Sequence, residues 1–195
     1  MPERGRPKTF DSDRALEAAM NLFWERGYEG SSLAELLAVM ELSRSSLYQS
    51  FGAKDEVFRL CLARYADALL GNLREGLASA PTGRVFLEQL LTSVASTAGN
   101  PEGDRSCLIV NSVTEFGSVQ TIPGTVLSQG LEAVSSVLVE AVVRAQAEGD
   151  LDPAESPADL AAFFHVALSG LRTMIKAGAS PESIQNTLKR LLKAF

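Results

Sequence analysis

The run Arg44-Ser45-Ser46-Leu47-Tyr48-Gln49-Ser50 surrounds one aliphatic residue, Leu47, with side chains that carry charge or hydrogen bonds. A guanidinium can pair bidentately with the major-groove edge of guanine, and a glutamine amide with that of adenine. Each such pair is worth roughly 1–3 kcal/mol of discrimination against the wrong base. Arg44 and Gln49 are therefore candidate base readers. Ser46, Tyr48 and Ser50, with Ser32, Ser43 and Ser45 beside them, offer hydroxyls to phosphate oxygens, which fixes register without reading sequence. Lys54 adds a cation for a further phosphate contact at the start of the next helix. The same run also suits the polar outer surface of a helix in a bundle, and residue types alone leave that alternative open.

Other chemistry is scarce. His165 is the one histidine, and the two cysteines, Cys61 and Cys107, are far apart. That excludes multi-histidine metal sites and most acid–base triads, and it gives no disulfide framework or zinc knuckle. No cofactor or metal is expected. A redox enzyme built on Cys107 would lack both a CxxC resolving partner and a histidine nearby in sequence, so no enzymatic activity is expected. Cys107 lies two positions after Arg105 and falls in the first turn of an expected helix. A cation and a helix N-terminus would both favour its thiolate, whereas a small buried hydrophobe is the plainer reading. Cys61 lies on an apolar stripe and reads as core.

Net charge is −6, which at first argues against a nucleic-acid partner. Its distribution matters more. Residues 1–64 carry nine Lys/Arg against ten Asp/Glu, and residues 65–195 nine against fourteen. Arg4, Arg6 and Lys8 form a basic arm opposed only by Glu3. An acidic body with a basic arm and a near-neutral head still suits DNA, because only the docking face needs positive potential. No apolar run approaches the roughly 18 residues of a membrane span. The N-terminus has no signal-like segment, which predicts a cytoplasmic protein with reduced thiols.

The elements that must position these residues read as helices almost throughout, about nine of them, with no sustained period-2 alternation. Asp11 caps a first helix that ends at Arg26-Gly27. Ser31 or Ser32 caps a short second helix containing Leu33, Leu36, Leu37 and Met40. Ser43 caps a third through about Gln49, and Ala53-Lys54-Asp55-Glu56 opens a long fourth. A fifth helix follows Pro81-Thr82-Gly83, a sixth spans about 104–116, a seventh about 124–148 and an eighth about 157–177. The last carries Ile184, Leu188, Leu191, Leu192 and Phe195. The second and third helices, joined by a tight turn at Glu41-Leu42, make a helix-turn-helix over about 32–50.

The segments Gly27-Tyr28, Ser31-Ser32-Leu33-Ala34-Glu35-Leu36 and Leu42-Ser43-Arg44-Ser45-Ser46-Leu47-Tyr48-Gln49-Ser50-Phe51-Gly52-Ala53-Lys54-Asp55-Glu56-Val57-Phe58 resemble the DNA-binding domain of TetR-family regulators. The resemblance runs from about Phe10 to Phe58 and places Phe23, Tyr28 and Phe51 in that domain's core. Glu41 departs from the family's usual turn glycine, Ser45 from glycine and Ser50 from histidine. If Glu41 must take a positive φ, the cost is modest.

The resemblance implies an all-α protein with a three-helix DNA-binding domain over 1–52 and a helical ligand-binding and dimerisation domain over 53–195. It also implies a homodimer through the last two helices, reading a palindromic operator with half-sites about 34–36 Å apart. Left wet, the apolar stripe of those helices would form a large exposed patch. The implied function is that of a transcriptional repressor released from double-stranded operator DNA by a small molecule. A mostly apolar pocket suits an apolar or amphipathic effector, and Cys107, Asn111, His165 and Arg172 are candidate ligand contacts, with Glu115 beside them. The stretch around Cys107 is also similar to the Gly-Cys-Leu segment of a subgroup, with Ser106 at the glycine, which implies thiol sensing of electrophiles or oxidants as an alternative. Each of these four residues also suits an ordinary structural role.

Overall fold

The computed structural model describes residues 10–100, 103, 105–117 and 122–194. Among them are nine α-helices and no strand: α1 (Ser12–Arg26), α2 (Leu33–Val39), α3 (Arg44–Ser50), α4 (Lys54–Ser79), α5 (Gly83–Ser96), α6 (Leu108–Phe116), α7 (Ile122–Ala147), α8 (Pro157–Lys176) and α9 (Pro181–Leu191). The basic arm with Arg4 and Arg6, Asp104 and the terminal Phe195 lie outside the described residues.

Local chemistry sets most boundaries. The Asp11 carboxylate accepts from the N–H groups of Asp13 and Arg14 at 3.0 and 3.2 Å, and Gly27 stops α1 at φ 75°. Ser32 caps α2 in a reciprocal arrangement with Glu35, and Ser43 accepts from the Ser46 N–H at 3.1 Å. Caps of this kind are each worth about 0.5–2 kcal/mol. The sixth helix starts later than its sequence suggests, at Leu108. Ser106 sits at φ 58°, a left-handed conformation that cannot continue a helix, so Cys107 is the residue before the helix and not part of its first turn.

Among the described residues, two apolar clusters make up the interior. The smaller joins Ala19 and Phe23 of α1, Leu36 and Met40 of the α2 turn, and Leu47 of α3 to Val57, Phe58, Cys61 and Leu62 of α4. It also takes in Cys107, Leu108, Ile109 and Leu127, so the head is packed directly onto the body. Phe23 and Phe58 meet edge-on at 4.9 Å, and Tyr28 meets Phe116 at 5.2 Å. The larger cluster is built by α4, α5, α7, α8 and α9 around Leu87, Leu91, Leu138, Ala141, Val142 and Phe164. A Cβ on Gly83 would lie 2.3 Å from the Ala141 carbonyl oxygen, so α5 and α7 approach backbone to backbone there.

Two sequence expectations need correction. By length and composition, Thr125–Ala147 and Pro157–Lys176 are each long and apolar enough to cross a membrane. In α7 that composition serves the core, where Val137, Leu138, Ala141, Val142 and Ala145 are all buried. The expected wet stripe, in turn, belongs to α8 and not to both final helices. Phe163, Val166 and Met174 of α8 are exposed, Val166 by 72%. Ile184 and Leu188 of α9 are buried against their own subunit, because α9 folds back onto α5 and α8.

Candidate nucleic-acid interface and ligand cavity

The turn between α2 and α3 is closed by the Leu42 N–H donating to the Leu37 carbonyl at 3.1 Å, with Glu41 at φ 56°. Leu47 is fully buried and anchors α3, leaving Arg44, Ser45, Tyr48, Gln49 and Ser50 exposed. Tyr48, an amphipathic ring at 49% exposure, stands out from the head. The helix thus brings the expected base readers and most of the phosphate donors to one outer surface.

Three of the predicted contacts have structural duties as well. The Ser32 hydroxyl donates to a Glu35 carboxylate oxygen at 2.7 Å, and its backbone N–H to the same oxygen at 2.9 Å. These bonds from Ser32, with the Arg26 guanidinium paired to Glu35, hold that carboxyl below its usual range. The Ser43 oxygen is engaged with the Ser45 and Ser46 hydroxyls at 3.0 and 2.8 Å. The Lys54 ammonium lies 4.2 Å from the centroid of the Tyr28 ring, a cation–π contact that pre-positions it at the start of α4.

In the body, a narrow cavity of about 90 Å³ lies among α4, α5, α6, α7 and α8. Leu69, Leu73, Leu90, Val94, Leu131, Val134 and Leu138 make it mostly apolar, and Cys107, His165 and Arg172 reach it together. His165, Ser169 and Arg172 share one face of α8 because they are spaced at i, i+4 and i+7. Burial, and then the Arg172 charge, hold the imidazole below its ordinary pKa. The Tyr65 hydroxyl lies 3.5 Å from the Cys107 sulfur, and burial raises the phenol pKa. At Cys61, burial pushes the thiol up to about 12, as expected for a core cysteine.

Asn111 is not part of this group. Its side-chain amide donates to the Arg105 carbonyl at 2.7 Å, and it lines a separate groove beside α1. Glu115 is also engaged elsewhere. Its carboxylate accepts from the Tyr28 and Glu29 N–H groups at 3.0 and 2.7 Å, holding the end of α1. The guanidinium of Arg105 pairs with Glu25 and reaches Asn21 on α1. Adjacency in sequence therefore does not aim that cation at Cys107.

Residues outside the sequence motifs complete the contact between head and cavity. The Trp24 indole N–H donates to the carbonyls of both Arg105 and Ser106, and its ring meets Tyr65 edge-on at 5.0 Å. A lone tryptophan at the edge of the apolar stripe of α1, four residues after Met20, is the sequence signal for this contact, since partly buried indoles seek an acceptor.

A helix-turn-helix head on an all-helical body with an internal cavity defines a class of DNA-binding regulators. Residues 15–61 match the family of bacterial regulatory proteins of the TetR type, and residues 84–191 match the tetracyclin repressor-like C-terminal domain. The chain belongs to the TetR family, whose members are transcriptional regulators and not enzymes. It is 29% identical over 193 residues to the HTH-type transcriptional repressor ComR of Escherichia coli, covering 98% of this chain and 92% of that protein. Among solved structures, the TetR family transcriptional regulator CifR, a cysteine mutant complexed with a 26-base-pair operator duplex, is 33% identical with a TM-score of 0.84. That match covers 98% of this chain and all of the other. The reduced form of Escherichia coli NemR, 22% identical, shares the fold with a TM-score of 0.82 over 94% of this chain and 95% of that one.

Proposed function

We propose that this chain is a ligand-responsive transcriptional repressor that binds a palindromic operator as a homodimer and leaves it when a small apolar or amphipathic molecule enters the cavity. The observation that carries the reading is α3, anchored by buried Leu47 and presenting Arg44, Tyr48 and Gln49 outward from a capped helix-turn-helix. Residues 1–52 act as the DNA-binding domain, with Arg4 and Arg6 on the arm, and 53–195 as the effector and dimerisation domain. Arg44 and Gln49 read bases, while Ser45, Ser46, Tyr48, Ser50 and Lys54 hold phosphates. Ser32 and Ser43 contribute mainly by capping α2 and α3. Relatives named as repressors, and one solved on operator DNA, support the reading.

Dimerisation rests on the exposed apolar face of α8, with Phe163, Val166 and Met174 covered by a second copy. The polar outer face of α9 contributes its rim. The protein acts in the cytoplasm, where its DNA is. A mobility-shift assay on the DNA flanking its own gene tests the reading. Sequence-specific retardation that weakens for Tyr48→Ala supports it, and the absence of any specific shift for either protein contradicts it.

A second reading uses the same head and has Cys107 as a sensor of electrophiles or oxidants. It is favoured by the position of this thiol on the cavity wall beside Tyr65, and by a relative studied as cysteine mutants on its operator. Release of DNA by N-ethylmaleimide that disappears in Cys107→Ser selects this reading. Release that persists in that variant rejects it.

A further inference from the structure

Arg14, Arg26, Arg59, Arg64, Arg84, Arg105 and Arg144 each pair with a carboxylate. Among the described residues, Arg44, Arg74, Arg172 and Arg190 make no ion pair. Arg44, Arg74 and Arg190 are exposed and hydrated, whereas Arg172 is half-buried. It makes no hydrogen bond among the described residues either. Withdrawing a guanidinium from water without a partner is costly, and charges so withdrawn are as a rule paired.

Its surroundings indicate what that partner is. Arg172 lines both the apolar cavity and an adjoining chamber of about 200 Å³, and Ser93 and Val94 are also common to the two. The second chamber is more polar, with Tyr65, Thr97 and Ser106 on its wall. Neither chamber has an Asp or Glu among its described lining residues. The cationic group therefore stands where an apolar space meets a polar one, with no carboxylate among the described lining residues.

We infer that the effector is a short amphipathic carboxylate, its tail in the apolar cavity and its carboxylate paired with the Arg172 guanidinium at the junction. This rests on the effector reading above and names the chemistry of that site. The planar fork of an arginine matches a carboxylate bidentately, and such charge-assisted bonds are about twice as strong as neutral ones. The cavity, at about 90 Å³, is smaller than the dry cavity of about 150 Å³ that admits benzene. The tail is accordingly short, on the order of three to five carbons.

Calorimetric titration of the full chain with pentanoate and with its uncharged isostere, pentanamide, tests the inference without involving DNA. Pentanoate is expected to bind at least about tenfold more tightly than pentanamide. The preference should vanish in Arg172→Gln and return in part in Arg172→Lys. Equal binding of the two probes, binding of neither, or a preference that survives in Arg172→Gln would overturn it. Should Arg172→Gln fail to fold, the ratio in the wild-type chain still decides. Tight binding of pentanamide alone would leave a neutral-effector cavity standing, so loss of the anion claim is distinguishable from loss of the effector reading. Operator binding is scored separately by the mobility shift.

Discussion

The indole N–H of Trp24 on α1 lies 3.1 Å from the carbonyl oxygen of Ser106, the residue held at φ 58° just ahead of α6. The same N–H is 3.1 Å from the Arg105 carbonyl. One residue further on, Cys107 lines the cavity. A displacement of the 105–107 segment by an effector would thus act directly on the helix that carries the DNA-binding head. Trp24→Phe should keep the edge contact to Tyr65 while losing both hydrogen bonds. We expect a stability loss of about 1–2 kcal/mol by urea unfolding. Operator affinity should stay near wild type while effector-induced release is blunted. Unchanged release in the variant would remove Trp24 from the coupling.

Glu41 bears a conformational cost that a glycine would not. Left-handed φ at a residue with a Cβ costs on the order of 1 kcal/mol, and Glu41 places a carboxylate at the turn before α3. Its contact with Arg14 is 4.0 Å long between side chains that are each 79% exposed, so it contributes little in return. Glu41→Gly should therefore raise the urea midpoint and tighten DNA binding at low salt. A destabilised variant would contradict this account of the turn.

The chain's local signals were readable because capping and turn chemistry are short-range. Asp11, Ser32 and Ser43 cap the helices expected of them, Gly27 ends α1, and Leu47 points inward. The cavity was half-readable. His165 and Arg172 share a helical face that spacing reveals, but nothing local tells Asn111 that its amide will close on the Arg105 carbonyl six residues back. Trp24 to Ser106 and Glu115 to Tyr28 join residues more than 80 apart, beyond any periodicity. For α9, the sequence shows an apolar stripe but not which body covers it, and the subunit's own α5 and α8 do so.

His165 makes stability pH-dependent in a definite direction. Its folded pKa lies below the ordinary histidine value, so the unfolded chain takes up a proton first as pH falls through about 6.5. Protonation is thus favoured in the unfolded state, and stability declines on acidification from that point towards the lower folded value. The urea midpoint, followed between neutral and mildly acidic pH, should fall more steeply for wild type than for His165→Asn. Parallel slopes would mean that the imidazole is not perturbed by its burial beside Arg172.

The exposed face of α8 predicts the assembly. Placing a charge at Val166, which is 72% exposed, should leave the monomer folded while repelling a second copy. Val166→Asp is expected to sediment as a monomer and to lose most of its operator affinity, because two linked heads gain over one by roughly 10²–10⁴. A dimer of unchanged stability would place the interface elsewhere.

The central claim, that α3 reads DNA as one of a symmetric pair, is tested most directly by selecting bound duplexes from a random pool with the purified protein. Enrichment of a two-fold related sequence, lost in Tyr48→Ala and relaxed at one base pair per half-site in Arg44→Ala, is the predicted result. A pool that yields no enriched sequence, or one equally enriched by the Tyr48→Ala protein, would contradict it.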